Sequence, residues 1–481
     1  MIQLAHPFGN WLPDQQSWTD PHMRDAKNVV PDARGFEPMR ALAGTTDALP
    51  ARVLNAFAAR DKDGGARIYC GTASNLYEQT SSSAWTSRQS GYAATDSSRW
   101  RFAAYKDLIL ATNYVDPIQV ATMSAGSSFA NLGGTPPQAR FISPFGEFVF
   151  TANTAASAMQ VRWSAISNAA SWTIGTDQAD AVTFPDGGLI RGLGYADVMY
   201  VFQEQAIRRI VYVGPPTIMN IDVIERGRGP VTENSIAQLG GAFFYLAEDG
   251  FYLFNGQSSQ PIGHSKIDEW FAADHNAGFL NRMSAAVDPL NKIVAWLYTS
   301  NNSSGGQPDT LLLYNWAADR WAYARQDANV IFTAMAKGLT LDTMDSLYPN
   351  LDAIAVSLDD PIWLGGALTF AGFTTGHAMG VFRGSTLEAT LETSDLASAQ
   401  RLLVREATPL SDTPSSTIVI GARERTGDAY TYKSAATQQA SGRVPIRASG
   451  RQFRARVVIP AGTTWTHAQG ITLTGEAQGV R

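Results

Sequence analysis

Apolar residues in this chain come in short runs, grouped in pairs with Gly, Asn or Asp between the members, and this pattern predicts β-hairpins rather than helices. Arg67-Ile68-Tyr69 leads through Ser74-Asn75 to Leu76-Tyr77. Trp100 to Ala104 pairs with Leu108 to Ala111, and Asn113 opens a turn towards Ile118-Val120. Arg140 to Ile142, Glu147 to Thr151 and Gln160 to Trp163 follow, then Leu189 to Leu193, Val198 to Phe202 and Ile207 to Val213. The clearest hairpin joins Phe243–Ala247 to Phe251–Phe254 through Glu248-Asp249-Gly250. Ile293 to Tyr298 and Leu311 to Tyr314 form the next pair, and Ala353 to Leu358 opens another.

The centres of the inner strands fall near residues 69, 109, 149, 200, 245, 295 and 355. A period of roughly 40–50 residues with several strands per unit predicts an all-β fold, a β-propeller of six or seven blades. A stack of β-sandwiches would give short strands too, but not so even a spacing. No unit carries a WD dipeptide or a kelch signature. The best helical signal is Ser265 to Ala273, with Ser265 as N-cap and Ile267, Trp270 and Phe271 on one face. Three regions follow from the pattern. Residues 1–50 hold Pro7, Pro13, Pro21, Pro31, Pro38 and Pro50 without sustained periodicity, and read as an extended arm ordered by docking on its own or a neighbouring subunit. Residues 51–365 form the propeller. Residues 366–481 form a C-terminal β region, with Phe453, Ala455, Val457 and Ile459 alternating with Arg454 and Arg456, as a sheet domain or as the piece that closes the ring.

Composition narrows the function. Charged residues make up 17% and the net charge is −6, which argues against a domain built to clamp nucleic acid. Only seven of the 37 basic residues are lysines. A charge-poor chain rich in Arg and aromatics suits an assembled protein. The single cysteine, Cys70, leaves no internal disulfide, Cys-based zinc cage or CxxC redox pair. No apolar run approaches the about 20 residues that span a bilayer, and the start of the chain lacks a secretory pattern. Synthesis and residence in a cytoplasm is the expectation.

Candidate chemistry is sparse. Gly192-Leu193-Gly194 lacks the third glycine of a dinucleotide turn, and there is no phosphate loop or nucleophile elbow. His6, His22, His264, His275, His377 and His467 show no metal-binding spacing. Asp61-Lys62-Asp63-Gly64 resembles a calcium loop, but its glycine comes early and Thr72 stands where a Glu is needed, so a charged turn is expected. Asp359-Asp360 and Glu248-Asp249 are carboxylate pairs by adjacency only, and Ser167 to Thr173 lacks the Asp and Gly of a sialidase box. Arg208-Arg209 and Arg226-Gly227-Arg228 are the places where phosphate contact is conceivable. No catalytic, cofactor or metal residues are assigned, and no enzyme activity is expected.

Several segments resemble one family. Asn28-Val29-Val30-Pro31 with Gly35-Phe36-Glu37-Pro38 resembles the N-terminal arm of tail nozzle proteins (tail tubular or hub proteins) of short-tailed bacteriophages. Ser235 to Tyr245, Glu248 to Tyr252, Asn255-Gly256 and Pro261 to Gly263 resemble a recurring blade of that family, followed by Lys266 to Phe271 and Ala285 to Trp296. Arg447 to Val457, Pro460-Ala461-Gly462, Trp465 and Ala468-Gln469-Gly470 match its end. The resemblance implies a structural, non-enzymatic virion protein of the tail, made in the host bacterial cytoplasm. It implies six copies in a ring below the portal and the head-to-tail adaptor, contacts to tail spike or fibre and to needle or tip proteins, and double-stranded phage DNA passing the central channel with weak binding. The alternative of another class is a carbohydrate-binding or glycan-cleaving propeller, a receptor-binding tail component.

Overall fold

The computed structural model describes residues 1–16, 21–335 and 368–478. Six small four-stranded sheets stand in a ring, the arrangement of a β-propeller. Five follow one another along the chain, at residues 55–90, 101–131, 139–183, 190–226 and 237–261, each an antiparallel meander. The sixth is formed by Val330–Met335, Leu368–Phe373, Ala378–Val381 and, from the other end of the chain, Ala43–Ala48. Between the fifth and the sixth lies one more meander, residues 284–325, whose first strand packs against the first strands of both neighbours. The circle thus contains seven units. Six are free-standing sheets, and this one is continuous with a larger sheet. The ring closes where Val330–Met335 meets Asn55–Arg60.

The apolar centres read from the sequence lie on the second strand of each unit. Tyr69, Ile109, Val149, Tyr200, Tyr245 and Ala295 all sit there, on strands buried on both faces. Such strands read as unbroken apolar runs because both faces meet neighbouring blades. Ala353 to Leu358 lies outside the described residues; the second strand of the last unit is Leu368–Phe373.

The divisions expected at residues 50 and 366 fall elsewhere. The strands at residues 2–7 and 23–38 join the C-terminal residues in one extended sheet. Ile2–Pro7 pairs with Ala468–Ala477, and Met23–Lys27 is bonded between Ala389–Thr393 and Arg320–Arg325. The hairpin Val29–Asp32 and Gly35–Pro38 reaches the same sheet through Phe36 opposite Ala468. Residues 43–48 and 368–381, by contrast, belong to the propeller. The arm therefore docks on its own chain, and a closure strand from each end locks the ring. Two 16-residue strands, Leu396–Ser411 and Val444–Ile459, form the body of the C-terminal sheet, and Phe453, Ala455, Val457 and Ile459 all point into its core.

The predicted helix is present as Asp268–Asp274, but Ser265 does not cap it. Asp14 of the arm does, its carboxylate accepting from Glu269 N at 2.8 Å and Trp270 N at 2.9 Å. One apolar core runs through Phe8, Trp11, Phe36, Phe251, Phe271, Trp296, Trp321, Phe453 and Trp465, joining propeller and C-terminal sheet.

Candidate functional site

Most motifs singled out in the sequence have structural work. Asp61 Oδ1 accepts from Gly65 N at 2.7 Å and its Oδ2 pairs with Arg67 at 3.0 Å, which makes 61–65 a hairpin turn. Gly192 and Gly194 lie in the strand Ile190–Tyr195, where a Cβ would come within 2.4 Å of Ile236 and 2.2 Å of Phe243. They let two blades approach closely. Asp249 accepts from Tyr252 Oη at 2.7 Å and pairs with Arg228 at 3.2 Å. Trp172 is buried and closes its own loop on Ala169 O. Cys70 is buried and burial pushes its thiol up. Burial pushes the His6 imidazole down, and its Nε2 lies 3.1 Å from Ser394 Oγ. Asp359-Asp360 lies outside the described residues.

The four arginines suspected of phosphate contact are neutralised within their own and adjoining blades. Arg208 and Arg226 share Asp186, Arg209 pairs with Asp222, and Arg228 with Glu225 and Asp249.

Charge is concentrated elsewhere, on the propeller axis. The first strand of each unit is the innermost, and most neighbouring first strands pack side by side around the axis. Because every unit begins at the axis and runs outward, residues just before or at these strand starts converge on one mouth. Arg52 precedes Asn55–Arg60, Arg99 precedes and Arg101 opens the strand Arg101–Tyr105, Arg140 lies at the start of Ala139–Phe145, and Arg282 precedes Ser284–Asp288. Glu233 and Asn234 lie just before Ala237–Leu239.

A cavity of ≈ 390 Å³ lies here, with Arg99, Arg101, Glu233 and Asn234 at its polar side and Phe57, Ile236, Val287 and Phe332 among its apolar residues. Asp96 pairs with Arg52 at 2.8 Å and with Arg282 at 2.9 Å. Burial opposes ionisation of Asp96, but Arg52, Arg99 and Arg282 outweigh it and hold the carboxyl below its usual range. Glu233 lies 3.8 Å from Arg140. Arg99 is 4% exposed and donates to Met283 O at 2.8 Å and Arg282 O at 3.3 Å, while its Nε has no partner. Burial, with Arg52 next in effect, pushes the Arg99 guanidinium down to about 9. Burial likewise pushes Arg101 down, against the pull of Glu233. Arg101 donates to Asn234 Oδ1. A smaller cavity, ≈ 210 Å³, lies between the hairpin at 29–38 and the last two propeller units, without such a gathering of buried charge.

Sequence reasoning passed over the axial arginines. Their signal is positional, an arginine near the start of an inner strand recurring at the spacing of the blades, and it becomes readable only once those starts are known.

No protein-family model and no curated protein sequence matches the chain. Among solved structures it is similar to a streptogramin B lyase, at 10% identity and a TM-score of 0.38, covering 62% of this chain and 94% of that one. It is similar also to virginiamycin B lyase from Staphylococcus aureus, at 9% identity and a TM-score of 0.34, covering 61% and 94%. A third is the WD40 domain of Neurospora crassa Pan2, at 8% identity and a TM-score of 0.36, covering 63% and 90%. Beside these neighbours, the strand order of this chain is by itself that of a β-propeller.

Proposed function

We propose that this chain is a structural subunit of a bacteriophage tail nozzle, six copies of which form a ring below the head-to-tail adaptor. The observation that supports the reading is where the nozzle-like segments meet. Val29 and Phe36 of the arm, Phe244 and Phe251 of the blade, Ile267 and Phe271 of the helix, Val287 and Trp296 of the next strand, and Phe453, Trp465 and Ala468 near the end all enter one core. Segments spread over more than 400 residues thus form one physical unit, the seam between propeller and C-terminal sheet. A likeness confined to turn and strand chemistry would scatter over the surface instead.

In this reading the ring conducts DNA without chemistry, and the tail spike or fibre and tip proteins attach to it. The test is electron microscopy of the purified full chain alone and mixed with a head-to-tail adaptor protein. Closed sixfold rings that bind the adaptor are the expected result. A protein that stays monomeric with the adaptor at micromolar concentration would refute it, as would glycan turnover abolished by replacing one carboxylate.

A further inference from the structure

We infer that the axial cavity is a binding site for a small organic phosphate, with the phosphate held by Arg99 and Arg101 and the organic body against the apolar wall. This goes beyond the ring-subunit reading and does not depend on it.

The argument begins with charge. Five arginines, Arg52, Arg99, Arg101, Arg140 and Arg282, gather around two carboxylates, Asp96 and Glu233. Asp96 is engaged by Arg52 and Arg282, and Glu233 lies nearest Arg140. Among the described residues, neither Arg99 nor Arg101 makes an ion pair within 4.0 Å. Burying guanidinium groups without a full counter-charge is unfavourable, and this chain does so at the wall of a cavity rather than in packed core. Arg99 Nε is both buried and unpartnered. The natural complement is an anion.

Its class follows from the geometry. Arg99 and Arg101 both line this cavity. Two planar forks at one cavity suit an anion with several oxygens. The mouth as a whole carries five arginines against two carboxylates, of which Arg99, Arg101 and Glu233 line the cavity itself, and this positive surrounding suits a phosphate dianion better than a carboxylate. The cavity, at ≈ 390 Å³, falls within the about 300–1,000 Å³ of small-molecule sites. Phe57, Ile236, Val287 and Phe332 supply an apolar surface that free phosphate could not use.

The test is calorimetric titration of the full chain with inorganic phosphate, phenyl phosphate and a duplex oligonucleotide. Phenyl phosphate should bind with micromolar affinity, at least tenfold tighter than inorganic phosphate, and Arg101→Gln should weaken it at least tenfold. Arg226→Gln, a substitution at an exposed arginine outside the cavity, should leave it unchanged. Arg99→Gln is expected to behave as Arg101→Gln; if it fails to fold, Arg101→Gln alone decides, since among the described residues the Arg101 side chain makes one hydrogen bond, to Asn234. No binding of phenyl phosphate at about 1 mM, roughly a thousandfold above the micromolar Kd expected, would overturn the site. Equal affinity for the two small anions would overturn the organic-body part. A duplex that competes with phenyl phosphate would overturn the small-molecule assignment.

Discussion

Trp11→Ala tests whether the N-terminal arm belongs to its own chain. Trp11 is fully buried, its ring edge-on to Trp270 at 4.7 Å and tilted against Tyr323 at 5.0 Å. Its indole Nε1 donates to Arg24 O at 3.2 Å. Truncating a buried tryptophan costs about 3–5 kcal/mol, which already contains the aromatic contacts of about 0.5–1.5 kcal/mol each. The orphaned carbonyl adds about 1 kcal/mol at most, since water can enter the space. A loss of about 4 kcal/mol corresponds to roughly a thousandfold in an opening equilibrium. The arm should therefore open locally before the ring does. Hydrogen exchange read by mass spectrometry should show protection falling about a thousandfold in residues 2–12 and in the partner strand Ala468–Ala477, with the blades at 101–226 unchanged. Less than a tenfold change in the arm of the monomer would refute the reasoning. A change seen only in an oligomer would mean that the arm docks on a neighbour.

Gly35 has φ +147°, and a Cβ there would lie 2.3 Å from Ala468 O; Gly35→Ala should cost about 1–3 kcal/mol by overpacking in urea unfolding, and an unchanged midpoint would count against the tight seam. Burial pushes the Asp268 carboxyl up to about 6, from an ordinary 3.8. A raised carboxyl pKa means stabilisation that is complete below about pH 4 and lost as pH rises through about 6. The full shift would be worth roughly 3 kcal/mol, cut to about 1–2 by solvent at this half-buried group. Asp268→Asn, which keeps an oxygen to accept from Phe251 N, should flatten the stability profile between pH 4 and 7, whereas an unaltered slope would assign it to other groups. Because Arg208, Arg209, Arg226 and Arg228 are all paired with acids, duplex DNA should bind no tighter than micromolar at physiological salt; a nanomolar affinity by fluorescence titration would refute the weak binding expected of a DNA conduit.

The sequence carried the ring clearly because the second strand of each unit is buried on both sides and cannot help being apolar. It carried the closure strand not at all. Ala43–Ala48 is Ala-Gly-Thr-Thr-Asp-Ala, mostly exposed at the outer edge of its sheet, and only its pairing with Ala378–Val381 makes it part of a blade. The helix shows the same division. Its apolar face at Ile267 and Phe271 was legible and is buried, while its cap comes from Asp14, some 250 residues away in sequence, and no local pattern records that. Ser265 instead takes a left-handed conformation at φ 58°. The axial site was illegible for a further reason. Its arginines are ordinary one by one, and only ring closure brings blades hundreds of residues apart to a common mouth.

The abundance of arginine and aromatic residues invites an argument for assembly, and the structure redirects it. Trp11, Trp100, Trp172, Trp296 and Trp321 are all fully buried within the one chain. Arginine is used in the same way. Arg423 and Arg454 both pair with Asp395 while stacking on the Tyr430 ring at 4.4 and 4.5 Å, and Arg456 pairs with Glu392. A fork that binds a carboxylate and lies on a ring is already engaged on two sides and has little left for a neighbouring copy. Composition therefore explains the cohesion of the chain before it explains any ring of chains. A sixfold contact must draw on other surfaces, and its strength should depend little on replacing these arginines. The axial mouth is the exception. There Arg99 and Arg101 line a cavity and, among the described residues, make no ion pair within 4.0 Å, so it is this pair that, as proposed, would meet something the chain does not contain.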